Sequence, residues 1–418
     1  MTVTKGSIAS RWNLLDLADW LAVAIAASLP WSTSVTAILV VMWIIAFIPT
    51  TSWTDIRREF LTAAGGLPVL LFLLGAVGML WADVAWAERL SGLDPFAKFL
   101  VIPLLLVHFR RSERAEWVFG SYLVSCMALL VVSYVMWRWF PSLRHDVHIG
   151  VPVKNAPTQS GEFATCILVL LYPAFESLLR RRWALLAGIV LIIVAMLANM
   201  FFVALGRTSL VVLLALVAIF AVTQIGTRAR VALIGGVLLI TVVGWFSSPY
   251  LRARVTQIWT DAQKYEATDA ANSSGERLEF YKKSIRFMRA APIIGHGTGS
   301  IHEQFIRSSI GKTGAAGVAS TNPHNQTFAI GIQLGLIGIA LLWVMWAAHL
   351  WLFRGGGFIA WVVVVVVVQN IVGSAFNSHL FDFLQGWTYV MGVGIAGGAV
   401  LKRRAASTFD ASKIPQQE

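Results

Sequence analysis

His324 lies in Asn322-Pro323-His324-Asn325, and two arginines, Arg207 and Arg277, sit far from it in the chain. Imidazole is the usual general base near neutral pH. Guanidinium clamps oxyanions through paired hydrogen bonds and stabilises charge growing on a leaving group. One base with two arginines suits a reaction in which an acceptor hydroxyl attacks while a pyrophosphate leaves. Each residue also has a plainer reading. An interfacial histidine is ordinarily a polar anchor, and an arginine at a helix end snorkels to the headgroups. Arg207 sits in Leu205-Gly206-Arg207-Thr208-Ser209, between two apolar spans with almost no polar linker. A charge so near hydrocarbon is costly unless partnered, and Thr208 and Ser209 open a helix whose free N–H groups favour anions.

The elements that must position these residues are membrane helices. The 418 residues are 57% hydrophobic and 13% charged, with mean hydropathy +0.71. A soluble domain carries about 25% charged residues. The expected fold is therefore an all-α polytopic membrane protein. The net charge of +12 is read as topogenic, with no nucleic acid partner. Twelve spans are expected, at 15–31, 33–49, 64–83, 95–109, 115–140, 159–178, 183–205, 208–225, 229–247, 326–352, 358–376 and 384–401.

Arginine marks every second connection: Arg57-Arg58, Arg110-Arg111-Arg114, Arg180-Arg181-Arg182, Arg228-Arg230 and Arg354, with Lys402-Arg403-Arg404 in the tail. By the positive-inside rule both termini are cytoplasmic. Residues 248–325 then form one large outer loop, with lesser ones at 84–94 and 141–158. The 18 tryptophans suit an interfacial belt. Cys126 and Cys166 fall in apolar spans, as packing residues. Residues 1–12 are short and basic, without the small-residue cleavage site of a signal peptide.

Within the outer loop, 275–290 reads as a helix with Arg277 in its first turn and Pro292 as its stop. Leu278, Tyr281, Ile285 and Met288 form an apolar stripe, and Lys282, Arg286 and Arg289 a basic one. At 3.6 residues per turn Arg277 and Arg286 are about half a turn out of phase, so they face different sites. Lys282, Lys283 and Arg289 read as solvated or lipid-phosphate-facing cations. Gly295, Gly297 and Gly299 read as a permissive turn or, less simply, a phosphate cradle; no Walker lysine accompanies them. No cluster of carboxylates or histidines has metal-ligand spacing, so neither metal nor other cofactor is expected.

Four pieces in this order resemble the O-antigen ligase and polymerase superfamily of membrane glycosyltransferases. They are Gly206-Arg207-Thr208-Ser209, Gly275-Glu276-Arg277, Pro292-x-x-Gly295-x-Gly297, and Asn322-Pro323-His324-Asn325 followed by Gly335 and Gly338. The resemblance covers roughly 160–380 and implies a GT-C-like fold with one large helical periplasmic loop. Hydropathy and loop charge divide the chain into transmembrane helices 1–9 over 1–247, the loop over 248–325, helices 10–12 over 326–402 and a cytoplasmic tail over 403–418. The resemblance implies a bacterial inner membrane protein transferring a glycan from undecaprenyl pyrophosphate. In the ligase branch the acceptor is a sugar hydroxyl of the lipid A core. Carried over, His324 is the general base and Arg207 and Arg277 hold the donor pyrophosphate, with Arg286, Tyr281, Asn322 and Asn325 as substrate-binding neighbours.

The single large outer loop and short tail favour the ligase over an O-antigen polymerase or a protein O-oligosaccharyltransferase. A lipid or glycan transporter is the alternative from another class. Transport ordinarily leaves ionisable groups at mid-membrane or broken helices in paired halves, and neither pattern stands out in this sequence.

Overall fold

The computed structural model describes residues 5–143, 149–269, 271–354 and 357–411. Parts of the expected 141–158 loop, of the N-terminal segment and of the C-terminal tail lie outside the described residues. The fold is all-α. By length and apolar composition nine helices among the described residues are able to cross a membrane, or ten if one bent pair counts as a span. Each of the twelve expected stretches falls on a helix or a broken helix.

The first half runs α1 (Lys5–Ser28), α2 (Thr33–Phe47), α3 (Trp53–Phe60), α4 (Ala63–Gly78), α5 (Trp86–Ala97), α6 (Val101–Arg111), α7 (Ala115–Trp139), α8 (Ala156–Leu179) and α9 (Trp183–Phe202). α3 and α4 meet at 84°. Residues 84–94, expected as a loop, largely belong to α5. A short 3-10 turn at Lys98–Leu100 joins α5 to α6, so an apolar stretch that reads as short is a longer, broken span. The second half holds α10 (Arg207–Gln224), α11 (Thr227–Ser247), α12 (Pro249–Thr268), α13 (Ser273–Ala290), α14 (Ile301–Ser309), α15 (Gln326–Leu352), α16 (Phe358–Gly373) and α17 (Phe383–Ala411).

The core is centred on α17 and α6. Gly394, Gly397 and Gly398 of α17 face Leu105, Leu106 and Phe109 of α6. Small residues let backbones approach closely where lipid gives no hydrophobic drive for helix association. α16 carries an unbroken valine run from Val362 to Val368, yet is helical; inside a bilayer the need to pair every backbone group overrides weak helix propensity. α11, by contrast, has Gly244 as its one buried residue.

The outer segment is helical. α13 begins at Ser273 with Asn272 as its cap, its side chain accepting from the Ser274 and Gly275 N–H groups. That places Arg277 fifth in the helix, past the first turn expected for it. The expected apolar stripe is also corrected. Leu278 and Ile285 are exposed, whereas Phe280 and Phe287 are buried and pack edge-on against Phe305 of α14. Lys283, expected at the surface, is fully buried. Its Nζ donates to Ser309 Oγ and the Ala316 carbonyl at 2.7 Å and to the Val318 carbonyl at 3.3 Å. A buried ammonium is tolerated when its donors are satisfied in this way.

The glycine-rich turn is part of the packing. The His296 and Gly297 N–H groups donate to the Ile332 and Gln333 carbonyls, and the Gly299 N–H donates to Gln333 Oε1. Gly335, at φ 62° and ψ −157°, breaks α15 at that point. A side chain there would run into the Ile293 carbonyl. The freed backbone of α15 is thus satisfied by the 292–299 segment, which serves as the turn back to the membrane.

Candidate active site

His324 stands just ahead of α15, whose cap is Asn325: its Oδ1 accepts from the Phe328 N–H at 3.1 Å. His324 has φ 53°, a left-handed conformation unusual for a side-chain-bearing residue. Asn322 Oδ1 accepts from the His324 N–H at 2.8 Å, and the Tyr281 hydroxyl donates to the His324 carbonyl at 3.2 Å. Tyr281 also donates to the Ala375 carbonyl at 2.5 Å. The imidazole stacks on Phe280, with centroids 6.0 Å apart.

The turn between α16 and α17 holds the ring from the other side. His324 Nδ1 lies 3.0 Å from Asn377 Oδ1. That oxygen also accepts from Asn322 Nδ2 at 2.8 Å, while Asn377 Nδ2 donates to Asp382 Oδ2 at 2.5 Å. A carboxylate is an acceptor only, so Asp382 fixes which way the Asn377 amide faces. With Oδ1 turned to the histidine, Nδ1 carries the proton and Nε2 keeps its lone pair. The turn is pinned by Lys98, whose Nζ donates to the Leu380, Phe381 and Asp382 carbonyls at 3.0, 3.3 and 3.0 Å. Gln326 Oε1 accepts from the Leu380 and Phe381 N–H groups.

A cavity of about 420 Å³ opens at this end of the bundle, lined by Arg277, His324, Asn377, His379 and Asp382. The beginnings of α8 and α10 close it, through Lys154, Glu162, Thr208 and Ser209. Burial and the nearby Arg277 guanidinium hold the His324 pKa below its ordinary value, opposed by the Asn377 hydrogen bond. Burial pushes the Asp382 carboxyl up to about 6 against the pull of Lys98. Burial alone takes His379 down to about 4; its Nδ1 is buried with no hydrogen-bond partner.

The three residues singled out for chemistry stand in different relations to this cavity. His324 and Arg277 line it. Arg207 does not, but its helix neighbours Thr208 and Ser209 do, and its guanidinium is within Coulombic reach of Arg277. Arg286 faces elsewhere, half exposed and 3.6 Å from Glu279 Oε1, as its phase relative to Arg277 requires. Tyr281, Asn322 and Asn325 do not line the cavity; they hold the His324 backbone and the α15 cap. Asn377 and Asp382 were not singled out in the sequence, where only the absence of positive charge in that turn attracts notice. Among the described residues no group of three His, Cys, Asp or Glu side chains converges to hold a metal ion.

The described residues thus form an apolar helix bundle with an imidazole and a guanidinium lining one cavity at its end. Residues 192–343 match the family described as O-antigen ligase, which places this stretch, with Arg207, Arg277 and His324 inside it, in the O-antigen ligase superfamily. The match covers about a third of the chain and supports, for that stretch, a membrane glycosyltransferase-like enzyme. No curated protein gives a significant match.

Proposed function

We propose that the protein is an O-antigen ligase. It transfers a glycan from undecaprenyl pyrophosphate to a sugar hydroxyl of the lipid A core, at the periplasmic face of the bacterial inner membrane. The observation that carries this reading is the His324 imidazole. Its Nδ1 is held by Asn377 and its ring lines the cavity that Arg277 also lines. The accepting nitrogen, Nε2, has no hydrogen-bond partner among the described residues.

The step is a direct displacement. The acceptor hydroxyl gives its proton to His324 Nε2 as its oxygen bonds to the anomeric carbon. The bond from that carbon to the pyrophosphate oxygen breaks on the opposite face, so the configuration inverts. Undecaprenyl pyrophosphate leaves with the bonding pair, and Arg277 and Arg207 stabilise the added charge. The donor is already activated, so no nucleotide is consumed, and the chain's own groups supply every part of the step without a metal.

The topology supports the orientation. α15 and α17 both begin beside the cavity, at Gln326 and Phe383. Their far ends meet where Arg404 donates to the Leu352 and Arg354 carbonyls, among the basic connections. With those connections cytoplasmic, the cavity opens to the periplasm.

The test is transfer by the purified protein in detergent, with EDTA, an undecaprenyl-pyrophosphate-linked glycan and a lipid A core acceptor. Higher-mass lipopolysaccharide from wild type and none from His324→Ala supports the reading. Lengthening of the glycan on its polyprenyl carrier would move the protein to the polymerase branch. With substrates shown competent, no product of either kind would favour a transporter.

A further inference from the structure

Arg207 lies beside α12, the first helix of the outer segment. Ser248 Oγ at its start donates to the Phe201 carbonyl at 2.6 Å. The Tyr250 hydroxyl accepts from the Leu205 N–H at 3.1 Å, two residues before Arg207. Past its middle, the Asp261 carbonyl accepts from Asn272 Nδ2 at 2.9 Å, tying α12 to the cap of the helix that bears Arg277. Tyr250, Arg254 and Asp261 are spaced by four and seven residues, so they share one helix face. Its start and its Asp261 turn are fastened to the segments carrying the two arginines already assigned. Arg254 lies on that face between the two ties.

The charges agree with this placement. Of the charged groups acting on the Arg207 guanidinium, Arg254 is the strongest, ahead of Arg277, and Asp261 opposes them. Arg254 Nε is buried and has no hydrogen-bond partner, and its Nη1 reaches only Gln257 Oε1, at 3.5 Å. Asp261 is buried and its Oδ2 has no partner either. Arg254, Arg277 and Asp261 are thus all within Coulombic range of the half-buried Arg207 guanidinium. Buried arginine donors left unpaired are costly, and a shared anion satisfies them.

We infer that Arg254 is a third arginine of the anion site, binding the pyrophosphate of the lipid-linked donor together with Arg207 and Arg277, with Asp261 as the counter-charge of the unloaded cluster. The inference rests on the reading of this end of the bundle as the donor-pyrophosphate site. A pyrophosphate diester is a dianion and becomes a trianion when its bond to the sugar breaks, so a cluster with excess positive charge favours the leaving state. The phosphodiester headgroup of an anionic phospholipid offers related chemistry, and the test must separate the two.

The experiment is titration of the full-length protein in detergent with inorganic pyrophosphate, followed by calorimetry. Arg254→Gln is compared with wild type, Arg254→Lys, Arg277→Gln and Asp261→Asn, each checked for unchanged thermal unfolding without ligand. Arg254→Gln is expected to weaken binding about tenfold, as for loss of a charge-assisted hydrogen bond. Arg254→Lys should fall between, keeping the charge without the fork. Asp261→Asn should tighten binding, which gives an independent reading if Arg254→Gln does not fold. Wild-type binding by Arg254→Gln alongside weak binding by Arg277→Gln would overturn the third arginine and leave the donor site standing. Wild-type binding by both would remove the donor-pyrophosphate reading itself. The same protein in nanodiscs with and without phosphatidylglycerol decides the source. If Arg254→Gln loses only the phosphatidylglycerol effect, the residue holds a headgroup and the inference fails.

Discussion

The proton on His324 Nδ1 is directed at Asn377 Oδ1, 3.0 Å away, and the Asn377 amide is oriented by its bond to Asp382. The tautomer needed of a general base is thus set from a turn more than fifty residues downstream. Replacing His324 with Ala removes the proton acceptor, and turnover is expected to fall by the ~10²–10⁴-fold typical of losing a general base. Near wild-type rates in the detergent assay would sink the assignment.

Asn377→Ala keeps the imidazole but frees its tautomer and its tilt. The expected loss is at least about tenfold and smaller than that of His324→Ala, and it should appear in kcat with KM little changed. A pure KM effect would mean that Asn377 binds substrate and does not orient the base.

The acid limb of the pH profile separates Asp382 from His324. His324 is held below its ordinary 6.5 by burial and by Arg277, which favours the neutral imidazole. Asp382, raised to about 6 by burial, takes up a proton as the pH falls through that value, while the neighbouring Lys98 opposes that uptake. His379, at about 4, is neutral throughout this range. Protonation removes the anionic acceptor that orients Asn377, so turnover in wild type should decline near pH 6. In Asp382→Asn the limb near pH 6 should be lost, because that carboxyl no longer titrates. An unmoved limb would show that Asp382 does not govern it.

Arg277 and Arg286 belong to one helix but meet different surroundings. Arg277→Ala should weaken donor binding. Arg286→Ala should leave transfer near wild type, because its partner is Glu279 at a half-exposed surface and such pairs contribute ~0–1 kcal/mol. The reverse order of effects, measured as KM for the donor, would put Arg286 in the site.

Gly335 takes a conformation that only glycine adopts readily. Gly335→Ala is expected to cost at least ~1–3 kcal/mol of backbone strain, with further loss where the added methyl meets the Ile293 carbonyl. A lower melting temperature in detergent checks it; an unchanged one would mean that the α15 break relaxes without strain.

The sequence alone determined that this is a helical membrane protein with a long polar segment late in the chain, because hydrophobic runs of spanning length and arginine-marked connections are local signals. It also isolated His324, Arg207 and Arg277 by residue type and setting. It misplaced the buried face of α13, since Leu278 and Ile285 are as apolar as Phe280 and Phe287. Periodicity shows an apolar stripe without showing which neighbour covers it. Lys283 misled for the related reason that an ammonium is buried only where distant carbonyls satisfy it. Only the tertiary structure decided what surrounds His324 and the arginines: Asn377, oriented by Asp382, beside His324, and Arg254 within Coulombic range of Arg207. Those pairs are set by where the turn between α16 and α17, and the fastened turns of α12, come to rest on the bundle. Packing between segments far apart in the chain fixes that, and no spacing within one segment records it.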